Sequence, residues 1–508
     1  MHAGIHSEIG QIIAAAWRGE LSEAQARRAA GLGVEAASAV MLAASARIAE
    51  LRSQAVGPAG PHTPSGTIPP SVKGSTGTKR RGPPGARHGH TGHRRPVPVV
   101  PDRVEHLEEL IVCPECRGPV LAAQPKRRRR RTVEDIPPNI TTEAVEYNIP
   151  RQWCPCCQKH VEPGVAAAMP NATLGNGVVA LTTVMHYGLG LTIDQTREIF
   201  ASHLRTPLSA GGLVDLWRRA GEVFLPWYEA IGRQARNSAA LHADETGWRV
   251  NGDTHWLWCF CNHINCYYMI DESRGGGVLK QFFTESFKGV LMSDFWAPYQ
   301  SVVLSGGENG ERGGGGGERQ CCLAHLLREL DHVDEHMLPH KPPDRAAEWS
   351  AFVKMLRRLL RDGIRLRQRK DFTPEKHRSR IRLIDQRLIA LAEGAGKKDS
   401  AYDDPDAARL AARLSRHRDE LFTFLDRPEA DWNNNFAERQ IRPAVILRKN
   451  SQCNRSERGA ATQAVLMSVY RTLKLRGHDP RTEIEKALRA WSATGQLPPL
   501  PLPVVAGG

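Results

Sequence analysis

Four short stretches decide how this 508-residue chain folds. They are Ala240-Leu-His-Ala-Asp-Glu-Thr-Gly-Trp-Arg-Val250, Thr254-His-Trp-Leu-Trp-Cys-Phe-Cys-Asn262, Cys266-Tyr-Tyr-Met-Ile-Asp271 and Gly289-Val-Leu-Met-Ser293. Trp256, Trp258 and Phe260 alternate along the second, the first ends in Trp-Arg-Val, and all four read as strands. Asn251-Gly252-Asp253 and Asn262-His263 are turn signals, which makes the first three an antiparallel meander. A helix over 278–287 leads into the fourth strand. A second helix over 296–303 follows, and 320–323 resumes as a strand or the start of a helix.

Acids stand at telling places in this order. Asp244 lies centrally in the first strand, Asp294 directly after the fourth, and Glu438 on a late helix in Asn433-Asn-Asn-Phe-Ala-Glu-Arg-Gln-Ile-Arg-Pro443. Strand, strand, strand, helix, strand, with acids on the first and fourth, is the order of an RNase H-like core. There strands one and four are neighbours, and a helix across the sheet supplies a third carboxylate. Clustered carboxylates repel unless a cation neutralises them. Their hard oxygens suit Mg2+ or Mn2+, and a pair of such ions supports in-line phosphoryl displacement. Alternation places Glu245 on the opposite face from Asp244 and His242 on the same face; His242 either supports the acids or is simply packed. Asp253 and Asp271 read as turn residues. On the late helix, Asn433 or Asn434 is a natural N-cap and Pro443 should end or kink the helix. Arg439, Arg442, Arg448 and Lys449, with Arg455 and Arg458 beyond, form a basic cluster that either holds phosphates or is a salt-bridged surface.

Outward from this core the organisation changes. Residues 237–485 form the α/β unit, with an all-α insertion at about 326–428 whose Phe352, Leu356 and Leu359, and Ile381, Ile384 and Leu388, recur at helical spacing. Residues 166–236 read as helices. A short amphipathic helix over 191–200, a turn near Pro207 and a helix through Leu213, Leu216 and Trp217 make either a DNA-binding helix-turn-helix or two ordinary packed helices. Residues 102–165 carry Cys113-Pro-Glu-Cys116 and Cys154-Pro-Cys-Cys157. Two such knuckles can close a tetrahedral structural zinc site through Cys113, Cys116, Cys154 and Cys157, with Cys156 and His160 as nearby substitutes. Cys322-Leu-Ala-His325 is either a second metal step or a buried structural pair. Residues 55–101 have the Pro/Gly-rich, basic composition of a linker, and 1–54 read as helical, with a short heptad seam at Val34, Met41 and Ile48. Residues 306–317 are Gly-rich but lack the Gly-Lys-Ser/Thr of a phosphate loop, so they read as a flexible loop. Residues 486–508 read as a disordered tail.

Charge sharpens the partner class. The net charge is +14, from 69 Lys+Arg and 55 Asp+Glu. Seven cations between Lys73 and Arg95, unopposed by any acid, and six more at Lys126, Arg127, Arg128, Arg129, Arg130 and Arg131 account for nearly all of that excess. Such patches suit phosphate contacts and salt-sensitive affinity for DNA. No stretch is long and apolar enough for a membrane span and no secretory leader is visible, so the eleven Cys read as reduced thiols or metal ligands in the cytosol, in a nucleoid if DNA is bound.

As a set, the runs His242 to Trp248, Ser293 to Tyr299, Cys322 to Glu329, Asn433 to Pro443, Arg448-Lys-Asn-Ser and the paired cysteine knuckles resemble the sixty-six family of bacterial insertion-sequence transposases. The likeness spans roughly residues 95–485 in the family's order. It implies a DDE transposase with an RNase H-like catalytic domain, a zinc-finger-like module and a helical DNA-binding region ahead of it, with Asp244, Asp294 and Glu438 as the metal-binding triad. The implied partners are double-stranded DNA, further copies of the chain in a synaptic complex, and room for accessory proteins of the same element. The family's N-terminal zipper is reduced here to the short heptad, and the 306–317 run is an insertion between motifs. Two rival readings remain: a catalytically silent zinc-dependent DNA-binding regulator, and an RNase H-like nuclease that cuts without joining.

Overall fold

The computed structural model describes residues 140–305, 316–393 and 402–504, together with 12, 15, 23–31, 100, 104, 110, 112 and 114–119. The Val34 to Leu51 heptad, nearly all of the 55–101 linker, Cys113, Lys126 to Arg131, 306–315 and 505–508 lie outside these residues. Helix α1 is Glu23–Gly31, and β1 (Gln152–Cys154) with β2 (Lys159–Val161) forms a small antiparallel hairpin.

The centre is a five-stranded mixed sheet of β3 (Ala240–Val250), β4 (Asp253–Cys261), β5 (Cys266–Asp271), β6 (Val290–Ser293) and β7 (Glu318–Cys321). Its order is β5-β4-β3-β6-β7. The first three strands are the expected antiparallel meander, and β6 and β7 run parallel to β3. The β3–β4 turn is a two-residue loop with φ of 52° at Asn251 and 90° at Gly252, the backbone that an Asn-Gly pair accepts and that matches strand twist. The expected helix over 278–287 is α6 (Gly276–Phe282), and that over 296–303 is a 3-10 turn, Ala297–Ser301. The 320–323 ambiguity resolves into the end of β7 followed by α7 (Leu323–His336).

Alternation along the strands gives the sheet two differently covered faces. On one, Leu241, Ala243, Trp258, Phe260 and Leu291 pack with Phe282 and Phe287. On the other, Trp248, Leu257 and Cys259 meet helices from both sides of the sheet in sequence. These are α2 (Asn176–Thr183), α4 (Ala210–Val223) and α5 (Leu225–Arg236) from before it, and α11 (Asn435–Ser451), α12 (Glu457–Leu475) and α13 (Pro480–Thr494) from after it. The 166–236 region therefore shares one core with the sheet. Helices α7, α8 (Pro343–Arg367), α9 (Pro374–Ala392) and α10 (Pro405–Arg416) are the expected all-α insertion, built on Trp349, Phe352, Leu356, Leu388 and Leu410 and joined to Val290 and Met292. Among the described residues no helix is long and apolar enough to cross a membrane.

Two expectations are overturned. Of the two outcomes expected at Pro443, ending the helix is excluded, because α11 runs through it to Ser451. The carbonyl that Pro443 leaves without a helical donor belongs to exposed Arg439, where water can pair it, while buried Ala444 and Leu447 anchor the second half. The tail is not loose either. Residues 486–494 complete α13, and 495–504 lie along the body. Trp227 Nε1 donates to the Pro498 carbonyl at 2.7 Å, Val504 N to Arg476 O at 2.8 Å, and Leu497 and Leu500 rest on the core. Proline lacks a donor, but its carbonyl accepts and its ring packs, so Pro-rich composition suits an extended strap.

Candidate active site

Register brings the first two acids together. β3 and β6 are parallel neighbours with His242 opposite Met292, so two residues further along each chain stand Asp244 and Asp294. Both are half-buried. Asp244 faces the side across which α11 lies. Asn434 is the N-cap of α11 by position, yet its side chain makes no capping bond; Asn433 Oδ1 instead accepts from Asn435 N at 3.0 Å. Asn434 Nδ2 donates to the Ala243 carbonyl at 2.7 Å, and its Oδ1 meets His242 Nδ1 at 2.9 Å. At the far end of the helix, Arg448 donates to the Gly247 carbonyl and, at 3.2 Å, to Thr246 Oγ1. The helix is thus bolted along β3, and Glu438 in its first turn faces the two strand acids.

The electrostatics follow from this crowding. Burial raises the Asp244 carboxyl well above the usual carboxylate range, and the charges of Glu245, Asp294 and Glu438 raise it further. Asp294 is pushed up to about 7, by burial first and by Glu245 next, against a hydrogen bond from Trp296 N at 2.9 Å and the charge of Arg274. Glu438 accepts from Arg328 Nη2 at 2.7 Å and lies 3.9 Å from His325 Nε2. Three neighbouring carboxylates, of which Asp244 and Asp294 are held against ionising, are groups that a hard divalent cation could neutralise.

Several residues around the acids carry no clear sequence signal. Glu245 does face the opposite side of β3, as alternation requires, and is 4% exposed. Arg274 forks onto its Oε1 at 2.8 and 3.0 Å, and Tyr299 Oη donates to its Oε2 at 2.5 Å. The Arg274 guanidinium sits between the Trp256 and Trp296 rings, 4.6 and 3.9 Å from their centroids. His242 is buried, with Nε2 3.5 Å from Asp431 Oδ2, so it both packs and supports the loop that carries Asn434. An acid amid large aromatic residues on an inward strand face was the one available clue to Glu245.

The remaining candidates are placed as follows. Cys322 and His325 part company: Cys322 Sγ accepts from Asn434 N at 3.1 Å, while His325 turns to Glu438. Arg439, Arg442 and Lys449 are exposed along α11, whereas Arg448 points inward to β3. Helix α3 (Ile193–His203) opens with a Thr192/Gln195 capping box, and α4 follows a short turn. The outer face of α4 presents Gly211, Gly212, Val214, Asp215 and Glu222, with Arg218 paired to Asp215 at 2.5 Å, so it carries little free positive charge. In the cysteine module, Cys154 ends β1 and Cys156 and Cys157 lie in the turn before β2. Hydrogen bonding from Cys157 lowers the Cys154 thiol. Cys116 is exposed in its own turn.

A mixed sheet flanked by helices, with acids gathered on adjoining strands and a crossing helix and with exposed cations beside them, defines a DNA-processing class of α/β protein once its relatives are considered. Residues 171–462 match the Transposase IS66 family, over half of the chain, and the chain belongs to that family. All three acids fall within the match; the cysteine module lies outside it. The chain is 24% identical over 423 residues to the uncharacterized protein y4jD of Sinorhizobium fredii (strain NBRC 101917 / NGR234), covering 78% of this chain and 80% of that one. It is 23% identical over 451 residues to the uncharacterized protein y4qI of the same organism, covering 83% and 78%.

Proposed function

We propose that this IS66-family transposase cuts the ends of its own insertion sequence and joins the freed 3′-hydroxyls to target DNA, on a core of RNase H-like type. What supports the reading is that the β3–β6 register sets Asp244 and Asp294 on neighbouring strands and that Asp294 and Glu438 lie near enough to raise the Asp244 carboxyl. The order β5-β4-β3-β6-β7 supports the RNase H-like reading. The three carboxylates are the groups that would hold Mg2+ or Mn2+. When bound, such ions activate an attacking oxygen and stabilise the leaving oxygen of a phosphodiester. The chain's own residues hold the acids in place: Asn434 fixes the start of α11 against the Ala243 carbonyl, and Glu245 holds Arg274 and Tyr299 behind the strand acids. Exposed Arg439, Arg442 and Lys449 stand on the same helix as Glu438, where they would contact phosphates rather than read bases.

The cysteine module, with Cys113, Cys116, Cys154 and Cys157 on structural zinc, and the basic run Lys126 to Arg131 would add DNA affinity that weakens with salt. Synapsis of two ends calls for more than one copy of the chain, with room for accessory proteins of the element.

The test is incubation of supercoiled DNA bearing the element's ends with the full chain and Mg2+ or Mn2+. Wild type should nick and join, and Asp294→Ala should do neither while still retaining end-bearing DNA in a gel shift. Equal nicking by both proteins refutes the triad. Cleavage without joining favours a nuclease, and binding without cleavage by wild type favours a regulator.

A further inference from the structure

At the edge of the sheet, on the strand beside the one that leads to Asp294, lies a second cluster. Cys321 is the last residue of β7, His417 follows α10, and Glu420 ends a one-turn 3-10 segment, Arg418–Glu420. Cys321 is 2% and His417 6% exposed. Among the described residues this is the one set of three His, Cys, Asp or Glu side chains whose ligand atoms all lie within 4.8 Å of one another. The individual separations are 3.7 Å from Cys321 Sγ to His417 Nδ1, 3.4 Å from Sγ to Glu420 Oε2, and 2.7 Å from Nδ1 to Oε2.

We propose that Cys321, His417 and Glu420 form a binding site for zinc, distinct from the carboxylate triad and from the cysteine module, that fastens the exit of the helical insertion to the strand from which the insertion departs. With metal bonds of about 2.3 Å to sulfur and about 2.0–2.1 Å to nitrogen or oxygen, tetrahedral ligation puts sulfur about 3.5 Å from each partner and nitrogen about 3.3 Å from oxygen. The two sulfur separations already match. Only the nitrogen–oxygen pair must open, by roughly 0.6 Å, as a cation replaces the proton those atoms share. One thiolate, one imidazole and one carboxylate form a set that favours zinc over Mg2+. Neighbours orient the ligands as partners of a metal site do: Gln300 Nε2 donates to Glu420 Oε2 at 3.0 Å, Arg319 Nη1 stands 3.8 Å from Oε1, and the Phe295 ring packs edge-on to His417 at 5.3 Å. Three protein ligands leave a fourth position for water.

The site closes a long loop. Cys321 precedes α7 and His417 follows α10, so the metal would pin the two ends of the insertion together. Asp294 lies one residue from Phe295, which links this clasp to the acids.

The experiment uses the full chain carrying Cys154→Ser and Cys157→Ser, so that zinc at the cysteine module does not mask the result. After dialysis against zinc and removal of excess, that protein should retain one equivalent by elemental analysis, and Cys321→Ser or Glu420→Gln added to it should lose it. In the otherwise unaltered chain, zinc should slow amide hydrogen exchange across 417–425, and Glu420→Gln, which keeps its bonds to Gln300 and His417, should abolish that slowing. Absence of zinc from the parent together with unchanged exchange across 417–425, or equal retention and equal slowing in the substituted proteins, overturns the proposal.

Discussion

Raising the pH should weaken the metal-free fold through Asp294, and a divalent cation should restore it. The Asp294 carboxyl titrates at about 7 in the fold against an ordinary 3.8. The folded state therefore holds this proton more tightly than the unfolded chain does. Its contribution is fully present below about pH 4 and is lost as pH rises through about 7. At about 1.36 kcal/mol per tenfold change in proton affinity, that separation is on the order of 4 kcal/mol. Another group works the opposite way over part of the same range. His186, buried and stacked on Trp217, is lowered to about 4, so its neutral form favours folding and stability rises as pH climbs from about 4 towards 6.5. Wild type alone is thus ambiguous, and the informative quantity is the difference from Asp294→Asn. Paired carboxylates such as Asp406, Asp431 and Asp479, held below the ordinary range, act at lower pH and stay outside this window.

The assay is urea unfolding of both proteins from about pH 4 to about pH 8, in EDTA and again with Mg2+. In EDTA, wild type should lose on the order of 4 kcal/mol relative to Asp294→Asn across that range, part of it reappearing as a changed titration of Asp244. With Mg2+, wild type should recover most of the loss and the variant much less, because ligand binding to the folded state alone stabilises it. Parallel pH curves in EDTA would refute the raised Asp294. Equal stabilisation of both proteins by Mg2+ would remove the ion from the three acids.

Three further outcomes bear on the structure around the site. Glu245→Ala should cost about 3–5 kcal/mol in urea unfolding, because it strands Arg274 between two indoles and leaves Tyr299 without its acceptor; a loss below about 1 kcal/mol would contradict the buried pair. Pro443→Ala should stabilise the chain by about 1–3 kcal/mol, restoring a helical donor to the Arg439 carbonyl, and an unchanged or lowered melting temperature would show that α11 needs its proline. Deleting residues from 497 onward should cost about 1–3 kcal/mol from the stranded Trp227 N–H alone, before lost packing, and should open the α12–α13 turn to proteases; a tail cleaved in the native chain with no fall in melting temperature would argue against docking.

The parts of this fold written plainly in the sequence are those governed by local pattern. Trp256, Trp258 and Phe260 alternate because one face of β4 is packed with aromatic rings, and Asn251-Gly252 marks its turn because both residues take positive φ. The elements that carry the candidate acids were legible too: Asp244 lies within β3, Asp294 just past β6 and Glu438 in the first turn of α11. Long-range pairing was not legible. Nothing adjacent to Glu245 announces Arg274, which arrives from beyond β5, and nothing near Cys321 announces His417, which arrives from the far end of the insertion. The tail misled for a different reason: composition reports the absence of helix and strand, but an extended strap holds itself by carbonyls and proline rings. Pro443 misled because the usual rule is local, whereas buried Ala444 and Leu447 beyond it anchor the helix to the core.

These placements bear on how an active-site helix tolerates a large insertion just ahead of it. Glu438 is separated from β7 by the whole all-α unit, so chain connectivity alone cannot set its position. Two independent sets of bonds do so. One runs to β3, through Asn434 on the Ala243 carbonyl and Arg448 on the Gly247 carbonyl. The other runs to the start of α7, where Leu323 N donates to the Trp432 carbonyl and Asn434 N to Cys322 Sγ. The second set joins the residue after Cys321 to the residue before α11, so the insertion leaves and re-enters the sheet at almost the same place. Movement within α8 to α10 then need not reach Glu438 as long as that junction holds. Substitutions at Asn434 or Cys322 should therefore disturb the three acids more than substitutions of equal volume in the insertion core.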